Sequence, residues 1–188
     1  MPTHIALLRG INVGGHNRVA MQDLREVVTS LGCTDVATYI QSGNVVFTTQ
    51  DTDTAALAVS LEQAIAGTLG LRPRVVVLSR DELAQVVADN PYSDEPNPKC
   101  VHAIFLNENP GPELVDGVAA AQRLAAQKGS RDTAQVVRRT VFLHTPDGYG
   151  RSELAALLAR GGSGTSAGAT GTARNWATIA KLLALCDT

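Results

Sequence analysis

Val36-Ala37-Thr38-Tyr39-Ile40-Gln41-Ser42-Gly43-Asn44-Val45-Val46-Phe47-Thr48-Thr49 is the stretch on which the fold turns. Two runs rich in β-branched and aromatic residues, Val36 to Gln41 and Val45 to Thr49, flank Ser42-Gly43-Asn44. Glycine and asparagine tolerate the backbone of a tight reversal, so the stretch reads as a β-hairpin. Before it, Leu24, Val27, Val28 and Leu31 recur at helical spacing, and Gly32 stands where a C-terminal cap belongs. His4 to Ile11, earlier still, reads as a strand. After the hairpin, Leu57, Leu61, Ile65 and Leu69 mark a helix and Arg74 to Leu78 a strand. Ser79 and Glu82 form a capping box for a further helix through Leu83, Val86 and Val87.

The hairpin has a counterpart. Ala37 through Phe47 matches Ala134 through Phe142, and the neighbouring elements follow in the same order. Val101 to Leu106 reads as a strand, and Leu114 to Ala126 as a helix entered after Pro112. Ala134 to Arg138 and Val141 to His144 form the second hairpin, and Ser152 to Arg160 the next helix. A weak strand near Ala173 leads to a last helix carrying Ile179, Leu182, Leu183 and Cys186 on one face. The first six elements of each half are in the split βαβ order of a ferredoxin-like plait. The expected fold is therefore α+β: two tandem ferredoxin-like halves with antiparallel sheets, at 1–90 and 99–188. The second half includes the C-terminal helix, and the polar, proline-rich segment 91–98 is the connector. Gly161 to Thr172 reads as a flexible loop or lid.

Composition narrows the function. An apolar fraction of 44% in 188 residues is ample for a core. Sixteen basic against eighteen acidic residues, for a net charge of −2, leave no electrostatic footprint for duplex nucleic acid. No apolar run approaches the ~18 residues of a membrane span, and the start of the chain lacks a signal-peptide core. Cys33, Cys100 and Cys186 lie far apart without a CxxC pair, which argues for buried thiols in a reducing cytoplasm rather than a metal or disulfide framework. His4, His102 and His144 have no ligand-like spacing, so neither a metal nor a cofactor is expected.

Topology gathers the polar residues into two groups. In a 4-1-3-2 sheet, the end of strand 1 and the turn between strands 2 and 3 share an edge. This sets Arg9, Asn12, Gly14, Gly15, Asn17 and Arg18 beside Gln41, Ser42 and Asn44, where the first helix also begins. In the second half, Tyr149, Arg151 and Ser152 open a helix at the edge where Arg174, Asn175 and Trp176 end the last strand. Arginine suits a planar bidentate partner, carboxylate or phosphate. Each residue also has a bland reading. Gly14-Gly15 serves a ligand's approach or only a turn. Ser42-Gly43-Asn44 are ordinary turn residues, Ser152 and Asn175 helix caps, and Tyr149 and Trp176 packing. No nucleophile, base and orienting group come together, so whether any reaction is catalysed stays open.

The runs LLRGINVGG, TYIQSGNVVF, GYGRSEL and ARNWATIAKLL resemble a bacterial family, domain of unknown function 1697. The resemblance spans nearly the whole chain and implies tandem ferredoxin-like plaits, cytosolic and without an established activity. Three functions are carried forward. The first is binding, with or without turnover, of a small anionic phosphate- or carboxylate-bearing molecule. The second is single-stranded nucleic-acid binding on an open sheet face, which lacks the expected aromatic pair. The third is a ligand-free interaction module whose Arg and Asn side chains brace the fold.

Overall fold

A computed structural model of the chain describes residues 1–14, 16–160 and 171–188. Among the described residues, two four-stranded antiparallel sheets and six α-helices make an α+β fold. The first sheet contains β1 (His4–Arg9), β2 (Thr34–Tyr39), β3 (Asn44–Thr48) and β4 (Arg74–Ser79), in the order β2-β3-β1-β4. The second contains β5 (Val101–Phe105), β6 (Thr133–Val137), β7 (Thr140–His144) and β8 (Thr172–Asn175), in the order β6-β7-β5-β8. The two orders are the same, as duplication predicts.

In the first sheet, α1 (Met21–Ser30) and α2 (Thr54–Leu69) cover one face. Ala6, Leu8, Val45, Phe47, Val75 and Val77 point into the core they form with Leu24, Val28, Leu61 and Ile65. Ile5, Leu7, Val46, Val76 and Leu78 alternate to the other face and are buried there as well. Strands buried on both faces show no polar alternation, which is why β1 reads as a continuous apolar run. The second sheet repeats the plan with α4 (Pro112–Gln127) and α5 (Glu153–Arg160) over Ile104, Leu106, Val141 and Leu143.

Local signals fix the element ends. Asp53 Oδ1 accepts from the amides of Ala55 and Ala56 and starts α2. Gly70, at φ 67°, ends it in the left-handed region. The Ser79–Glu82 capping box forms reciprocally, at 3.1 and 2.8 Å, and starts α3 (Arg80–Ala88). Two outer strands have an amide covered by a helix side chain: Val75 N–H donates to Glu62 Oε1 at 2.9 Å, and Ala134 N–H to Gln122 Oε1 at 2.7 Å. A blunted outer strand is a poor template for pairing with another chain.

The chain divides into two compact units, Met1–Gln85 with Ala180–Thr188, and Val86–Ile179. The expectation that the whole C-terminal helix belongs to 99–188 is corrected here. The later turns of α6 (Trp176–Cys186) and the residues after them group with the first unit, where Arg80 donates to Asp187 Oδ1 at 3.0 and 2.8 Å. Most of the expected loop at Gly161 to Thr172 lies outside the described residues, and its last residue, Thr172, opens β8.

Candidate functional site

The polar residues of the first group share one end of the first sheet, but they have different roles. Asn12 is committed to the backbone: its Nδ2 donates to Val19 O and Gln41 O, at 3.1 and 2.8 Å, and its Oδ1 accepts from Val19 N–H at 2.9 Å. Asn17 Nδ2 donates to Gly10 O, and Asn44, fully buried, donates to Tyr39 O and Ser42 Oγ. Asn12 and Asn17 themselves sit at φ 53° and 51°, a backbone region that asparagine tolerates by bonding locally. Gly14 has φ 58° with open space around it, so its glycine is explained by the turn alone. Gly15 lies outside the described residues.

The turn at Gly43 is pinned from below. Leu8 N–H donates to Gly43 O at 2.8 Å, and a Cβ on Gly43 would meet Leu8 Cβ at 2.8 Å and Ile11 Cδ1 at 2.9 Å. Gln41 contributes its carbonyl to Asn12, and Ser42 its hydroxyl to Asn44. The asparagines, the glycine and this turn therefore weld the β1 loop to the β2–β3 hairpin.

The arginines remain. Arg9 ends β1, half-buried, on the face turned away from α1 and α2. Its guanidinium forms no hydrogen bond or ion pair among the described residues. Directly across the ladder stands Arg74, the first residue of β4, which pairs loosely with Glu62 at 3.6 Å. Like charges directly opposite on neighbouring strands repel. Arg18 is exposed and likewise unpaired among the described residues. It precedes Val19 and Ala20, where α1 begins without a side-chain cap, leaving amides of its first turn open. That helix start is on the opposite face of the sheet from Arg9. Arg74 is missing from the sequence-derived group because only the β1–β4 register reveals it.

The second group is brought to one end of its sheet and then divided between faces. Tyr149 stacks on His102, with ring centroids 4.1 Å apart, on the side of α4 and α5. Arg174, paired in register with Ala103, projects to the other side, as does Phe142, against which Trp176 packs at 6.3 Å. Arg174 donates to Thr172 Oγ1 and Ala173 O, both at 2.8 Å, and burial pushes its pKa down to about 10. Ser152 caps α5 by accepting from Ala155 N–H at 2.8 Å, and its hydroxyl donates to buried Asp132. Asn175 caps α6 by accepting from Thr178 N–H. Arg151 is exposed near Asp147, whose carboxyl it helps hold below the usual range, after Arg131. The residues of the second group thus share one end of the sheet, while the cap residues and Arg174 turn to the fold itself.

At the opposite end of the first sheet, a cleft of about 790 Å³ is lined by His4, Thr49, Ser79, Arg80, Glu82 and Cys186 among others. Burial lowers the pKa of His4 and raises that of Cys186 to about 11, so both are neutral at pH 7. Arg80 and Glu82 are taken up by Asp187 and the capping box. No group of three potential metal ligands occurs among the described residues, and none of their helices is long and apolar enough to cross a membrane.

The chain is similar to a conserved bacterial protein, SP0830 from Streptococcus pneumoniae, at 24% identity and a TM-score of 0.72. The match covers 98% of each chain and shows the fold. No curated protein matches. A family model described as a protein of unknown function, DUF1697, matches residues 1–142, and the chain belongs to that family.

Proposed function

We propose that the chain binds a small anionic molecule, bearing phosphate or carboxylate, at the β1 end of its first sheet. The observation that carries this reading is Arg9. A half-buried guanidinium without a partner among the described residues, set across from Arg74, is a cost to the fold that an anion would relieve. A planar, five-donor cation matches the two oxygens of carboxylate or phosphate. The asparagines support the site indirectly, by holding the loop that follows Arg9 against the hairpin turn. The reading is one of binding. Turnover has no support in a nucleophile, base and orienting group at this end. The three buried free cysteines fit a reducing compartment, and we assign the chain to the cytoplasm.

The test is a thermal-shift titration with inorganic phosphate, acetate and citrate. Binding at a hundredfold excess over Kd contributes about 2.7 kcal/mol, which raises Tm by roughly 5–10 °C. Arg9→Ala abolishes the shift while the apo protein stays folded. Wild type with no response to any anion refutes the reading.

A further inference from the structure

The β1–β4 register sets two planar cations side by side. Leu8 and Val75 point into the core under α1 and α2, so their neighbours Arg9 and Arg74, partners in the ladder, leave the sheet on the opposite face. Directly opposed residues on one face have Cβ atoms about 5 Å apart, close enough for two guanidiniums to grip one small group. Neither guanidinium makes a hydrogen bond among the described residues. Arg9 has no ion pair there either, and Arg74 approaches Glu62 Oε2 only to 3.6 Å, too long for a hydrogen bond. Glu62 is itself held by its other oxygen, which accepts from Val75 N–H at 2.9 Å. The donors of both forks therefore stay unused by the fold.

We propose that Arg9 and Arg74 form a clamp for an oxyanion with three terminal oxygens, so that the ligand is a phosphate monoester rather than a carboxylate or a phosphodiester. This inference rests on the anion-binding reading above and names its ligand class. Two guanidiniums and the Glu62 carboxylate leave one net positive charge, so a monoanion already balances the site and charge does not choose among these ligands. Oxygen count does. Each arginine fork takes two oxygens in its bidentate geometry. A carboxylate has two in all and a phosphodiester two non-bridging ones, enough for one fork. A phosphate monoester has three, so both forks are filled around one shared oxygen.

Isothermal titration of the full chain with acetate, dimethyl phosphate and methanesulfonate, at pH 7 and constant ionic strength, tests it. All three carry one negative charge, and only methanesulfonate has three terminal oxygens. It binds about tenfold tighter than the other two, the worth of filling a second charged fork. Methyl phosphate binds at least as tightly as methanesulfonate. Arg74→Gln, a change at an exposed side chain whose melting temperature shows that the variant is folded, closes the gap to about twofold or less. Vesicles containing phosphatidic acid, a membrane-borne monoester, form a parallel arm: recruitment to them identifies a lipid headgroup as the source and its absence a soluble phosphate, and the clamp stands in either case. Equal binding of the three monoanions overturns the inference and leaves the anion reading standing. A gap that survives Arg74→Gln also overturns it, because the third oxygen is then held elsewhere. Binding by none of the anions removes the anion reading and the inference with it.

Discussion

Arg9 and Arg74 face each other as direct partners in the antiparallel β1–β4 ladder, two cations at one end of a strand pair whose central residues are apolar. Arg74 has Glu62 within 3.6 Å, whereas Arg9 has no such partner among the described residues. Cross-strand like charges cost a few tenths to about 1 kcal/mol, reduced by salt. Arg9→Ala is therefore expected to leave apo stability unchanged or raise it by about 0.5 kcal/mol at low salt. The gain fades by 0.5 M sodium chloride, and urea unfolding at two salt concentrations measures it. A loss of more than about 2 kcal/mol would instead make Arg9 a brace of the fold.

The hairpin weld predicts a larger effect with no cation involved. Gly43→Ala must place a methyl against Leu8 and Ile11 at φ 75°, a conformation alanine resists. The expected loss is about 2–4 kcal/mol from overpacking and backbone strain together. Gly14→Ala, at φ 58° but in open space, should cost only about 1 kcal/mol. Chemical denaturation of the pair separates a crowded glycine from a merely left-handed one.

Arg174 behaves as a structural residue in this fold. Arg174→Ala removes donors to Thr172 Oγ1 and Ala173 O and leaves a void beside the second sheet. A destabilisation of about 2–4 kcal/mol is expected. In the anion thermal-shift assay the variant melts early yet keeps the wild-type increment. Loss of that increment with unchanged apo stability would return Arg174 to the binding site.

His102 makes stability depend on pH. Burial lowers its pKa from 6.5 to about 4, and the ring stacks on Tyr149 without a partner for Nδ1 among the described residues. Between pH 6.5 and 4 the unfolded chain takes up a proton that the folded chain does not. Stability is complete above about pH 6.5 and falls as pH drops toward 4, by up to about 3 kcal/mol. Urea unfolding at pH 7.5, 5.5 and 4.5 should show this decline in wild type and less of it in His102→Leu. His4, lowered in the same direction by burial, keeps part of the dependence.

The amino-acid sequence alone determined the order of elements, the duplication, the 4-1-3-2 sheet and the capping residues at Ser79, Ser152 and Asn175. These are local matters: hydrophobic periods, turn residues and caps act within a few positions of the chain. It also brought Arg9 and Asn44 to one end, because strand direction follows from topology. Tertiary structure alone decided which face each polar side chain takes and what it meets. β1 is buried on both faces, so no alternation in its sequence marked the side on which Arg9 emerges. The opposition of Arg74 depends on a register between residues sixty-five positions apart in the chain, through a hydrogen-bonded ladder. Asn12 and Asn44 looked alike to Arg9 as ligand-binding side chains until pairing of the loop with the hairpin turn used up their donors. The later turns of α6 group with the first unit for the same reason: packing and the Arg80–Asp187 pair act across distances along the chain that periodicity does not encode.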